Sequence, residues 1–143
     1  TSTTYNPPSG LTSTTVYTRE VDATGSPDCG SWTASTGSWT VTVQGASVGG
    51  TAGTSTTICT GSTANLTLTG ETGTIQWEQS PNGSSSWTNV SGGSGATTDS
   101  YTSPALSATT YYRAAVTNGS SPTVYSNVIT ITVDDNPTTA NEL

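Results

Sequence analysis

Ala64-Asn65-Leu66-Thr67-Leu68-Thr69, followed through Gly70-Glu71-Thr72-Gly73 by Thr74-Ile75-Gln76-Trp77-Glu78, alternates apolar and polar residues with a period of two. Leu66 and Leu68 share one face of the first run; Ile75 and Trp77 share one face of the second. Strands with one buried face have this period, and helices do not. Working outward, the same alternation predicts strands near Thr56–Ile58, Trp87–Val90, Asp99–Ser103, Thr109–Thr117 and Val124–Val133. Pro81-Asn82-Gly83-Ser84 reads as a tight hairpin, because Asn-Gly supplies the positive φ angles that such a turn needs. Short strands separated by turns, with no helical period, predict an all-β chain folded as an antiparallel β-sandwich. Leu66, Leu68, Trp77, Tyr112, Ile129 and Ile131 are its expected core.

The later part of this pattern occurs twice. Tyr5-Asn6-Pro7-Pro8, Thr14-Thr15-Val16-Tyr17 and Trp39-Thr40-Val41-Thr42-Val43 return as Tyr101-Thr102-Ser103-Pro104, Thr109-Thr110-Tyr111-Tyr112 and Ile129-Thr130-Ile131-Thr132-Val133. Tyr17 stands 95 positions before Tyr112, and Val43 stands 90 before Val133. A period of this size implies modules in tandem. Residues 1–43 are expected to be the last three strands of one repeat. Residues 44–54 are expected to be a glycine-rich linker and the start of the next repeat, 55–134 that complete repeat, and 135–143 a linker onward. On this reading the chain opens inside a repeat, and other chain covers its half-module, either upstream sequence or a neighbour's strands. Arg19 shares strand parity with Tyr17 and Val21, which would turn it inward if they face inward.

Composition narrows the partners. The net charge is −7, and Arg19 and Arg113 are the only cations. Nucleic acid and anionic membrane surfaces both need clustered positive charge, so neither is an expected partner. No apolar run reaches the length of a membrane-spanning segment, so no membrane insertion is expected.

Catalytic chemistry finds little to work with. The chain has no His, which removes the usual general base of a nucleophilic triad. Glu71 and Glu78 flank the Thr74–Glu78 strand, yet one belongs to a turn and the other has outward parity, so solvated surface is the reading preferred over a glycosidase pair. No catalytic residue and no cofactor is expected. Asp134 and Asp135 are weak candidates for a calcium-stiffened joint, since calcium takes six or more oxygens. Cys29 and Cys59 occupy non-equivalent positions in adjacent modules; a secreted protein would favour a disulfide, whereas end-to-end stacking would hold them beyond the ~7 Å that a bridge tolerates. Trp32 and Trp87 are the candidates for stacking on sugars. Asn65, Asn82, Asn89 and Asn118 each head an Asn-x-Ser/Thr triplet.

Ile58-Cys59-Thr60-Gly61-Ser62-Thr63-Ala64-Asn65-Leu66, Ile75-Gln76-Trp77, Ser86-Trp87-Thr88-Asn89-Val90, Thr109-Thr110-Tyr111-Tyr112-Arg113 and Ser126-Asn127-Val128-Ile129 together carry a resemblance. They are similar to the immunoglobulin-like tandem repeats of very large surface and secreted proteins of Bacteroidetes, among them gliding and attachment adhesins and cargo of the type IX pathway. In that plan Trp77 is the buried tryptophan of the third strand, and Leu106–Tyr112 enters the sixth strand as a tyrosine corner. Many such repeats carry a second cysteine near the position of Ser120 and Ser121, so the resemblance implies that Cys59 has lost its counterpart. Cys29 holds that kind of position in the earlier module. The function implied is a non-enzymatic structural repeat of an extracellular fibre or adhesin stalk, extracellular or on the cell surface, with adjacent repeats of its own or neighbouring chains as partners. Neighbours adding strands to each other's sheets would be one form of it. The alternative is a carbohydrate-binding or spacer module of a secreted polysaccharide-degrading enzyme, with surface glycans as partners.

Overall fold

The structure, a computed structural model, describes residues 4–22 and 32–135; for residues 20–22 and 32–36 only the backbone is described. Cys29 and residues 136–143 therefore lie outside the described residues, as does the Trp32 side chain. The chain divides into two units, Thr1–Gln44 and Gly45–Leu143. The first holds β1 (Thr15–Asp22) and β2 (Trp32–Val41). The second holds β3 (Val48–Ala52), β4 (Thr56–Cys59), β5 (Asn65–Thr72), β6 (Thr74–Ser80), β7 (Thr88–Asn89), β8 (Ser100–Thr102), β9 (Thr110–Thr117), β10 (Val124–Tyr125) and β11 (Ile129–Asp134). No helix occurs among the described residues, so the fold is all-β.

Two sheets build the second unit. One has the order β3-β5-β8; the other has the order β4-β11-β9-β6-β7, with β10 also paired to β9. Their facing sides make one core, to which Ala52, Leu66, Leu68 and Tyr101 come from the small sheet and Trp77, Tyr112, Ala114, Val116, Ile129 and Ile131 from the large one. Every predicted core residue is buried there. The alternation in β5 places both leucines inward and Asn65, Thr67 and Thr69 outward, and this one-sided burial separates the strand's two faces. Trp77, Tyr101 and Tyr112 form an aromatic column across the layers, with ring centroids 6.3 Å and 6.1 Å apart. The Trp77 indole N–H donates to Thr98 O at 2.9 Å, which satisfies the single polar atom of that buried ring.

Four expectations need correcting. The pairing is not wholly antiparallel, because β4 runs parallel to β11 (Ile131↔Thr56, Val133↔Ile58). The chain passes from β3 in one sheet to β4 in the other without the reversal a hairpin gives, so the usual antiparallel relation is lost at that edge. The stretch 44–54 is more than a linker, since it contains β3, paired with β5 from Val48↔Thr72 to Ala52↔Leu68. Its glycines suggested a flexible joint, but Gly49 is there for proximity: a Cβ at that position would sit 2.4 Å from Tyr125 O. Asn82-Gly83 does not form a two-residue hairpin. Residues 81–87 make a longer loop in which Asn82 Oδ1 accepts from the N–H groups of Ser84 (3.1 Å) and Ser85 (2.9 Å), while Ser80 Oγ accepts from those of Asn82 (3.2 Å) and Gly83 (3.0 Å). Polar side chains take the place of a backbone turn there. Finally, the single strand expected over Val124–Val133 is split at Ser126, whose N–H donates to Ala114 O and whose hydroxyl accepts from Ala114 N–H, each at 2.9 Å.

In the first unit β1 and β2 pair antiparallel, with a register shift between Thr18 and Glu20. Arg19 sits at that irregularity and is exposed, which resolves its parity. Residues 4–14 contain no strand, so the described residues of this unit show two strands, and the third of the expected three is not among them. Their counterpart, β8, is a strand only because it pairs with β5 (Leu66↔Tyr101), and the first unit has no such partner among its described residues. Tyr5 nevertheless packs on Tyr17, with ring centroids 5.4 Å apart and planes tilted by 48°.

Candidate functional site

Two surfaces concentrate aromatic and charged chemistry. The first lies on the outer face of the large sheet. Glu78 on β6 and Arg113 on β9 are direct cross-strand partners, and Arg113 Nε donates to Glu78 Oε2 at 2.7 Å. The guanidinium carbon lies 4.2 Å from the Trp87 ring centroid and 3.7 Å from that of Tyr125. The cation thus lies against two rings, one preceding β7 and one on β10, and so fastens the β7 and β10 edges to the sheet's middle. Both ionic side chains are mostly buried, which keeps solvent from screening the pair as fully as it screens an exposed one. Sequence reasoning placed Glu78 on the surface and Trp87 at the start of a short strand as a candidate for stacking on sugars; it did not find Arg113 and Tyr125. Cross-strand parity holds the missing signal, since Tyr125 pairs with Ala115, two residues from Arg113 on β9.

This arrangement bears on sugar stacking. Trp87 is half-buried with the guanidinium over its ring, so it offers no open platform on that side. The Trp32 side chain lies outside the described residues.

The second surface is the inner face of the β1–β2 pair. Tyr17 lies directly opposite Trp39, and Tyr5 packs on Tyr17. Adding 95 to β1 and 90 to the end of β2 turns the pairs Tyr17↔Trp39 and Thr15↔Val41 into Tyr112↔Ile129 and Thr110↔Ile131, which are the observed β9–β11 pairs. The tilted Tyr5–Tyr17 contact likewise matches Tyr101–Tyr112. Trp39 therefore stands in the first unit where Ile129 stands in the second, and it is 78% exposed where Ile129 is 2% exposed.

The remaining candidates have ordinary surroundings. Cys59 is exposed and free at the end of β4. Asp134 O accepts from Thr60 N–H at 3.3 Å, and the Thr60 hydroxyl donates to the Asp135 carboxylate, so both residues help close the β4–β11 edge. No group of three or more His, Cys, Asp or Glu suited to a metal ion occurs among the described residues. Glu71 lies on β5 and Glu78 on β6, in different sheets, and Glu78 is occupied by Arg113. Asn82 holds its own loop, and Asn118 Nδ2 donates to Gly45 O at 3.0 Å; Asn65 and Asn89 are exposed.

Tyr112 is not a tyrosine corner. Its hydroxyl is buried without a hydrogen-bond partner, while Thr110 Oγ1 donates to Ala108 O at 2.9 Å and holds the strand's entry instead. Burial, and then the neighbouring Tyr101, push the Tyr112 hydroxyl up to about 12, against a smaller lowering effect of the nearby Ser103 hydroxyl, whose own hydrogen bonds go to Ala64 N–H and Pro104 O. Burial also raises Tyr101 above its usual value.

Residues 48–135 match a family described as a domain of unknown function (DUF8696), and the chain belongs to that family. The match opens at the first residue of β3 and closes just after β11, so it spans the strands of the second unit. No curated protein and no solved structure matches the chain.

Proposed function

We propose that the chain is a non-enzymatic structural element, built of immunoglobulin-like repeats in tandem, of an extracellular fibre or cell-surface adhesin stalk. The observation that carries this reading is the recurrence of one strand pairing, in one register and with one tilted tyrosine pair, in two successive units. The wholly buried Trp77 and the strand that switches sheets to pair parallel with β11 support the immunoglobulin-like plan. A spacer needs a module that holds its shape and repels unwanted neighbours. The stacked core supplies the first, and an acidic surface of net charge −7 favours the second.

Electron microscopy of the shadowed parent polypeptide tests the proposal. A beaded rod whose length rises by a fixed step per repeat is expected, together with antibody labelling of intact cells. A compact particle, or labelling only after lysis, would overturn it. The carbohydrate-binding alternative loses support from the covered face of Trp87, and loss of glycan-array binding on Trp87→Ala would revive it.

A further inference from the structure

We propose that Asn118-Gly119 is a site of spontaneous deamidation, and that its conversion loosens the segment leading into β3. Asn-Gly occurs twice in the chain, each time within the same tetrapeptide, Asn82-Gly83-Ser84-Ser85 and Asn118-Gly119-Ser120-Ser121. In both, the residue after the asparagine lacks a Cβ, so its backbone nitrogen is unhindered. The local chemistry is the same, and any difference in reactivity comes from the fold.

The reaction needs only water. The Gly119 nitrogen attacks Asn118 Cγ and closes a cyclic imide; the Cγ–Nδ2 bond breaks, and that nitrogen leaves as ammonia with the proton given up by Gly119 N. Water then opens the ring at either carbonyl, which leaves an aspartyl or isoaspartyl residue at position 118.

At Asn82 both reacting groups are engaged. Oδ1 accepts from the N–H groups of Ser84 (3.1 Å) and Ser85 (2.9 Å), Nδ2 donates to Ser85 Oγ at 2.9 Å, and Gly83 N–H donates to the Oγ of buried Ser80 at 3.0 Å. Gly83 also packs closely, since a Cβ there would lie 2.6 Å from the Tyr111 ring. Bringing Cγ onto the Gly83 nitrogen would break these bonds together.

Asn118 is held differently. Its side chain makes one hydrogen bond among the described residues, from Nδ2 to Gly45 O at 3.0 Å. Gly119 is exposed, and its N–H donates to no group among the described residues. Ser121 N–H donates to Asn118 O at 2.9 Å, and a hydrogen bond on that carbonyl favours the deprotonated amide, which is the attacking form. Accessibility alone would favour Asn82, which is exposed where Asn118 is half-buried. The free nucleophile favours Asn118.

Conversion has a structural consequence. Gly45 O accepts from Asn118 Nδ2 and from Ser121 Oγ (3.2 Å), and Ser47 Oγ accepts from Asn118 N–H at 2.9 Å, so residues 45–47 are tied to the β9–β10 connection. A carboxylate at position 118 would set an acceptor against Gly45 O where a donor stood, and an isoaspartyl residue would add a methylene to the turn's backbone.

The test incubates the 143-residue chain, folded and in urea, in mildly alkaline buffer and follows conversion by mass spectrometry. Trypsin cleavage after Arg19 and Arg113 places the two sites on separate peptides, and fragment spectra locate the converted residue. In urea the two sites should convert at similar rates; in the folded chain Asn118 should convert about tenfold faster than Asn82. Asn82 keeping pace with Asn118 in the folded chain overturns the proposal, as does folding that slows both equally. Asn118→Asp reads the consequence: amides 47–49 should exchange about tenfold faster than in the unaltered chain, while Asn82→Asp leaves them unchanged. Unaltered exchange there in Asn118→Asp overturns the loosening. None of these outcomes bears on the rod measurement, so the two proposals fall separately.

Discussion

β1 and β9 are both eight-residue strands, β1 paired with β2 and β9 with β11 through matching residues, and each carries a tyrosine against a second tilted tyrosine. Their surroundings differ: the tyrosine of β9 is wholly buried, whereas that of β1 is half-buried. Pairing register follows from residues along the two strands, so the two-stranded first unit retains it. Burial comes from the opposing sheet and disappears with it. The hydrophobic term is proportional to the apolar area removed from water, so the same side-chain positions contribute strongly in one unit and little in the other.

Truncating equivalent residues exposes this contrast at its largest. Trp77→Ala should cost the second unit about 3–5 kcal/mol, and Ile129→Ala about 2–5 kcal/mol, since each leaves a cavity in a filled core. Trp39→Ala, at the position equivalent to Ile129, should change stability by no more than about 0.5 kcal/mol. Urea unfolding read by hydrogen exchange in each unit checks all three. A Trp39 cost comparable to that of Ile129 would mean that something already covers the face.

The same contrast explains what the sequence made legible. Leu66, Leu68, Ile129 and Ile131 could be placed inward because alternation within a strand records which face is dry. The β3 strand escaped because Gly49 answers to a contact more than seventy positions away, at Tyr125, which no local pattern reports. The residues 81–87 loop escaped because Asn82 can either occupy a tight turn or cap a wider one with its side chain, and both use Asn-Gly. Of the surface chemistry, Trp87 and Glu78 were visible as residues. Their assembly around Arg113 needed the β6–β9 register, which no composition supplies. Trp39 aligned with Ile129 in the recurring pattern, but strand alternation cannot tell whether a second sheet lies over it.

Glycines sharpen the comparison at the next level. Gly49→Ala would place a methyl group against Tyr125 O and C, both backbone atoms, and should destabilise the second unit by about 1–3 kcal/mol through forced backbone movement. Gly37, at the register shift in the first unit, has open space where its Cβ would lie, so Gly37→Ala should stay within about 0.5 kcal/mol. Thermal melts of the two variants separate a glycine whose Cβ site is filled by backbone from one whose Cβ site is open.

Arg113 and its counterpart Thr18 probe the outer face. Arg113→Lys keeps the charge but loses the planar group that lies between Trp87 and Tyr125, and should cost about 1 kcal/mol. Thr18→Ala, at the equivalent position of β1, should have no measurable effect. Chemical denaturation at low and high salt tests the pair. A loss that salt fully erases would assign the effect to charge alone rather than to stacking.

The smallest effect is the most diagnostic of burial. Tyr112 holds its hydroxyl in the core without a partner, so Tyr112→Phe should be neutral or stabilise by up to about 1 kcal/mol. Tyr17→Phe, at the half-covered equivalent, should do nothing. The alkaline limb gives the sign. An unfolded tyrosine loses its proton near 10.0, whereas folded Tyr112 keeps it up to about 12. Between those values the unfolded chain binds fewer protons than the folded one, so stability is complete below about pH 10 and falls as pH rises toward 12. Tyr112→Phe should flatten that fall in part, leaving the contribution of Tyr101, which burial also raises. A decline identical in both proteins would mean that the Tyr112 hydroxyl reaches water in the folded state, and the buried tyrosine column would no longer separate the two units.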